Sequence, residues 1–247
     1  MRIGILLLPI ATVLVMLAGC DQQERKPQDV AVNRPNAEIV KQGQQVIHYK
    51  RGMEFFAQRK FELAIEQFDR AIELDSEFSL AHYSRGQAHD NLGDSAAAMK
   101  DFDRAIEIKP DEANPYYSRG VLLAALGDYD RAITDYDKVL ELAPADADAL
   151  AARGVAWDKK GEFDKAVDDY SAAIRLQPDH ADAYFGRGVS RHNQKDYDAC
   201  ISDLSESIRL NPEKRPAAYL VRADAYRKLG NDEAAAADES IARRLGR

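Results

Sequence analysis

Residues 113–146 read ANPYYSRGVLLAALGDYDRAITDYDKVLELAPAD. Gly127-Asp128 divides the stretch into two parts. A glycine there can take the left-handed conformation that ends one helix, and the aspartate after it is placed to cap the next. Asn114-Pro115 offers an N-cap and a first-turn proline at the start, and Pro144 closes the unit. The stretch therefore predicts a helical hairpin.

The same hairpin is written along most of the chain. The pair Arg119-Gly120 recurs as Arg51-Gly52, Arg85-Gly86, Arg153-Gly154 and Arg187-Gly188, always at a spacing of 34, and a sixth unit follows one residue late at Arg222-Ala223. The extra residue falls in the loop from Glu213 to Pro216, where an insertion costs little. Twelve residues after each glycine, or after Ala223, stand Ala64, Ala98, Ala132, Ala166, Cys200 and Ala235; four further on stand Phe68, Phe102, Tyr136, Tyr170, Leu204 and Glu239. Helices approach closely only where side chains are small. Gly86 is accordingly expected to meet Ala98, with Phe102 filling the wider space beside them. A single hairpin cannot bury its apolar face alone, so the units must stack. The pattern is similar to the tetratricopeptide repeat from about residue 45 to the C-terminus. That resemblance implies an all-α, right-handed α-solenoid of about six helix-turn-helix units, near 45–78, 79–112, 113–146, 147–180, 181–215 and 216–247.

An arginine precedes each motif glycine, where the family commonly has an apolar residue. Sixteen residues after Arg85, Arg119, Arg153, Arg187 and Arg222 lie Asp101, Asp135, Asp169, Asp203 and Asp238, while Arg51 faces Gln67. The spacing predicts a bridge tying the first helix of each unit to its second. A basic ladder for an anionic ligand is the competing reading, and the paired acids weigh against it.

With Lys+Arg 34 against Asp+Glu 42, the net charge of -8 opposes a phosphate backbone, so nucleic acid is not an expected partner. No H-E-x-x-H, Cys-x-x-Cys, G-x-S-x-G, phosphate-binding loop or dinucleotide fingerprint occurs, and the five histidines form no ligand pattern. No cofactor, metal or small-molecule substrate is expected, and the chain is not read as an enzyme. Cys200 replaces a packed alanine, and Trp157 shares its repeat position with Phe55 and Tyr226, so both read as core. In the family, a few positions of each first helix line a concave groove. The resemblance places there Tyr49, Met53, Tyr83, Gln87, Asp90, Asn91, Tyr117, Val121, Phe185, His192 and Asn193, with Val155, Val189 and Leu220 at matching positions. Tyrosine suits such a surface, because it buries area and keeps a hydroxyl for the partner. The lysine and asparagine of the family's carboxylate clamp are missing at Tyr49, Met53 and Ser84, which argues against a cytosolic cochaperone.

The first residues differ from the rest. Arg2 precedes an uncharged apolar run, Ile3 to Leu17, shorter than the roughly 20 residues a spanning helix needs, and residues 1–19 read as a signal peptide. Leu17-Ala18-Gly19-Cys20 resembles the lipobox of bacterial lipoproteins, which implies a diacylated Cys20 as the new N-terminus and a membrane partner through that anchor. Asp21 resembles an inner-membrane retention signal. Residues 20–36 then read as a polar, proline-interrupted tether reaching roughly 20–24 Å, with the solenoid at 37–247. Together these features imply a periplasm-facing scaffold or adaptor for envelope proteins or peptides in the bacterial cell envelope. The alternative is an assembly lipoprotein of a pilus, secretion or outer-membrane machine, and more remotely an enzyme or ligand-transport protein.

Overall fold

The computed structural model describes residues 37–212 and 216–246. The expected signal peptide, Cys20, Asp21 and tether lie outside the described residues. Among the described residues there are twelve helices and no strand. They form six hairpins: α1 (Ala37–Ala57) with α2 (Phe61–Leu74), α3 (Ser79–Asn91) with α4 (Ser95–Ile108), α5 (Ala113–Ala125) with α6 (Tyr129–Leu142), α7 (Ala147–Lys159) with α8 (Phe163–Leu176), α9 (Ala181–Asn193) with α10 (Tyr197–Leu210), and α11 (Pro216–Lys228) with α12 (Asp232–Leu245). No described helix is long and apolar enough to cross a membrane.

Every helix packs on its neighbours in the chain. Beyond that, each first helix also touches the first helix of the next unit, whereas among the described residues no two second helices come as close. The first helices are thus the closer-set row, and a stack built this way curves toward them. Their exposed side chains line its inner side.

The turns explain the spacing. Gly93, Gly127, Gly161 and Gly230 have φ between 78° and 84°, a region cheap only for glycine. In the first and fifth units the same turn is made by Arg59 at 58° and Lys195 at 66°, so the backbone shape persists where the glycine is missing. Asp94, Asp128, Asp196 and Asn231 then accept hydrogen bonds from the backbone N–H three residues on, capping the second helices. At the matching position of the fourth unit Glu162 makes no cap bond; its longer side chain turns to Lys165 at 3.3 Å. One capping expectation needs correction. Helix α5 begins at Ala113, so Asn114 lies inside it rather than capping it, and Pro115 occupies the first turn, where its missing N–H leaves no hydrogen bond unmade.

The core is a row of large side chains set on bare backbone. Phe68, Phe102, Tyr136, Tyr170 and Leu204 are almost wholly buried. A methyl group added to Gly52, Gly86, Gly120, Gly154 or Gly188 would lie 2.5–2.9 Å from the corresponding side chain. The motif glycine therefore makes room for the aromatic ring itself, which at Gly86 is that of Phe102. Each cluster joins more than one unit: Leu123, Ala132, Ile133 and Tyr136 pack with Ala156 and Trp157 of the following hairpin. This shared burial makes the stack cooperative.

Candidate partner groove

The arginine ladder sets the rigidity of the scaffold that carries the groove. Arg119 donates from Nε and Nη2 to both carboxylate oxygens of Asp135, at 2.9 and 2.7 Å, and Arg85, Arg153, Arg187 and Arg222 hold Asp101, Asp169, Asp203 and Asp238 in the same fork. These five aspartates are buried. The spacing assigned each arginine one partner, but the structure gives it two. The third donor, Nη1, reaches back to the second helix of the preceding unit: Arg85 to Asp69 at 2.5 Å, Arg119 to Asp103 at 2.6 Å, Arg153 to Asp137 at 2.5 Å, Arg187 to the Ser171 hydroxyl at 3.0 Å and Arg222 to the Ser205 hydroxyl at 2.9 Å. The arginine is a clip between units as well as within one. Asp135 holds the Arg119 guanidinium firmly charged against the penalty of burial, and Asp103 adds to it.

The inner row separates into anchored and open residues. Tyr49 lies on Phe68 and Phe78, and its hydroxyl accepts from Ser84 Oγ at 3.4 Å. Tyr83 lies on Phe102; its hydroxyl pairs with Ser118 Oγ at 3.3 Å and accepts from Gln87 Nε2 at 2.9 Å. Both tyrosines are half-buried struts between successive first helices. Tyr117 rests on Tyr136 with no hydrogen bond from its hydroxyl among the described residues. It lines a cavity of about 210 Å³ with Asn114, Asp146 and Asp148, where burial first and then the Asp148 and Asp146 charges push its pKa up. Met53, Val121, Val155 and Leu220 are exposed, at 38%, 42%, 46% and 51%. Val189 and Phe185 are half-buried beside them. Asp90 is exposed, and Asn91 turns back on its own helix, donating to the Gln87 carbonyl at 2.8 Å. His192 Nε2 lies 2.7 Å from Asp224 Oδ2, joining α9 to α11.

Of the expected groove residues, Phe185 and Asn193 come together with Val155 and Val189 around a cavity of about 490 Å³ between α7 and α9. Asp158, Lys159, Tyr170, Asp182 and Gly186 complete its lining. These five were not anticipated as site residues. One sign of them is visible in the chain: the fifth unit has a second glycine, Gly186, two residues before its motif Gly188, where the second and third units have Ser84 and Ser118. The remaining chemistry is structural. Cys200 is fully buried with its thiol pushed up to about 12 by burial, and Trp157 packs in the core with Lys165 Nζ 4.4 Å from its ring centre. Among the described residues no group of three or more histidine, cysteine, aspartate or glutamate side chains is arranged to hold a metal ion.

A model of the tetratricopeptide repeat matches residues 49–113, 117–178 and 158–213. The chain belongs to the tetratricopeptide repeat family. Three solved structures place this repeat protein among relatives of the same fold. PilF of Pseudomonas aeruginosa aligns at a TM-score of 0.73 and 13% identity, over 83% of this chain and 93% of that one. PilW, described as a widely conserved type IV pilus biogenesis factor, gives 0.71 and 21%, over 79% and 90%. YrrB, described as a tetratricopeptide protein with an unusual peptide-binding site, gives 0.63 and 20%, over 77% and 97%. At these identities the likeness is one of fold. No curated protein matches the chain. Within the repeat stack, the open residues Met53, Val121 and Val155 share one position of their first helices with half-buried Val189, and Gln87 holds that position in the second unit.

Proposed function

We propose that this tetratricopeptide repeat protein is a lipid-anchored, periplasm-facing adaptor that holds a segment of an envelope protein in its inner groove. The observation that carries the reading is the line of apolar side chains left open on the closer-set row: Met53, Val121, Val155 and Leu220 are exposed although the core beneath them is closed. Such a stripe, rimmed by polar groups, marks an interaction surface rather than a core. The lipobox-like Leu17-Ala18-Gly19-Cys20 supports the anchor and the compartment. No catalytic role is assigned, since the charged side chains on the first helices serve as clips and struts.

The test is a photo-crosslinker at Val121 in intact cells, compared with the same protein carrying Val155→Asp. One envelope protein captured in the first and lost in the second is the expected result. Identical background from both would remove the groove from the function. Cys20→Ser should abolish incorporation of labelled palmitate, and retained label would refute the anchor. A narrower second reading, an assembly factor of a type IV pilus, starts from the shared fold with PilW. Loss of surface pili on deleting the gene is its expected signature.

A further inference from the structure

The gaps between successive first helices are not alike. Tyr49 reaches Ser84 across α1 and α3, Tyr83 reaches Ser118 across α3 and α5, and His192 reaches Asp224 across α9 and α11. Between α7 and α9 the bond runs from the Ser190 hydroxyl to Asp158, and beside it Gly186 leaves room for the cavity of about 490 Å³. Gly186 cannot be filled, because a methyl group there would lie 2.4 Å from the Tyr170 ring.

Asp158 lies in this lining. Its Oδ2 accepts from the Tyr170 hydroxyl at 3.0 Å and its Oδ1 from the Ser190 hydroxyl at 2.6 Å. The buried aspartates of the ladder all face an arginine, whereas Asp158 has hydroxyl donors and no ion pair among the described residues. Lys159, next to it in the chain, acts on it through space. Burial pushes the Asp158 carboxyl above its usual range in spite of the hydroxyl bonds and the lysine. A half-buried carboxylate fixed by neutral donors, beside apolar Val155, Phe185 and Val189, lacks the counter-charge that the other buried acids have. Asp182 on the same lining adds a second negative group.

We propose that the α7/α9 cavity receives an arginine or lysine side chain from the partner's segment, its methylenes against Val155, Phe185 and Val189 and its cation on Asp158. The chemistry is that of a long amphipathic side chain, which buries an apolar stem and needs an anion at its tip. An acidic side chain is disfavoured by Asp158 and Asp182, and a purely apolar one would leave the carboxylate dehydrated and unpaired. This occupant rests on the groove reading above.

The probes are n-butylguanidinium and its neutral counterpart n-butylurea, titrated into the ¹⁵N-labelled whole chain and followed by amide shifts. The guanidinium should shift Val155, Gly186 and Val189 saturably, with n-butylurea at least about tenfold weaker, the ratio a charge-assisted hydrogen bond supplies. Asp158→Asn, whose amide can accept from one of the two hydroxyls and donate to the other, should lose that preference. Lys159→Ala, an exposed change, should tighten guanidinium binding severalfold. Equal responses to the two probes, or an unchanged preference in Asp158→Asn, would overturn the proposal. Crosslinking at Val121 that persists undiminished in Asp158→Asn would also overturn it, while leaving the groove reading intact.

Discussion

The clips in the first half of the stack and those in the second half share one geometry and differ in charge. At the junctions entering the second, third and fourth units, Arg85, Arg119 and Arg153 lie between two carboxylates, one buried and one on the surface. At the junctions entering the fifth and sixth, Arg187 and Arg222 keep the buried carboxylate, but a serine hydroxyl replaces the outer one. The buried aspartate fixes the position of the guanidinium. The outer group then needs only to be an acceptor, since a solvent-facing carboxylate is screened by water and adds little over a hydroxyl. The difference teaches that the inner half of each clip carries the structural demand and the outer half adjusts the charge of the surface.

The strongest test of that division removes the buried half. Asp135→Ala leaves Arg119 with Asp103 alone, and Asp203→Ala leaves both Arg187 and Arg191 without their shared carboxylate. Breaking buried pairs costs about 3–5 kcal/mol. Denaturant midpoints should fall in both variants and further in Asp203→Ala. Equal and small losses would mean the bridge positions nothing. A middle-sized effect is expected at the two turns that lack the glycine, one in each half. Arg59→Gly and Lys195→Gly relieve a left-handed residue and should each raise stability by about 1 kcal/mol. A loss at either would show that the long side chain does more there than bridge a turn.

Smaller effects belong to the outer halves. Asp103→Ala and Ser171→Ala should each cost under about 1 kcal/mol, and only the first should shrink in high salt. A salt-insensitive cost at Asp103 would contradict the screening argument. The acid limb sharpens the contrast between clip and cavity. At Asp101 burial pushes the carboxyl up, but the hydrogen bonds from Arg85 and His82 outweigh it, and the net shift is downward. A depressed folded pKa gives stability that is present above the ordinary carboxylate value near 4 and is lost as pH falls through the folded value. Asp158 is shifted the opposite way, so its contribution is present at low pH and fades as pH rises through its raised value. Midpoints measured from pH 3 to 8 should therefore show Asp101→Asn flattening the acid limb and Asp158→Asn gaining relative stability toward neutral pH. The same slope in both variants would remove the distinction.

By itself the sequence determined the repeat: the 34-residue spacing of Arg-Gly, the small residue twelve later and the aromatic four beyond that are local and periodic, so they name the helices, the turns and the fork from Arg119 to Asp135. The physical reason is that these contacts recur at one offset inside each hairpin. Tertiary structure alone decided what happens between hairpins. It brought the arginine back onto Asp69, Asp103 and Asp137, made struts of Tyr49 and Tyr83 while leaving Val121 and Val155 open, and left a cavity beside Gly186 between α7 and α9. Those outcomes depend on the curvature of the stack and on single departures from the repeat, such as Gly186. Periodicity averages such departures away, but packing at that one gap does not.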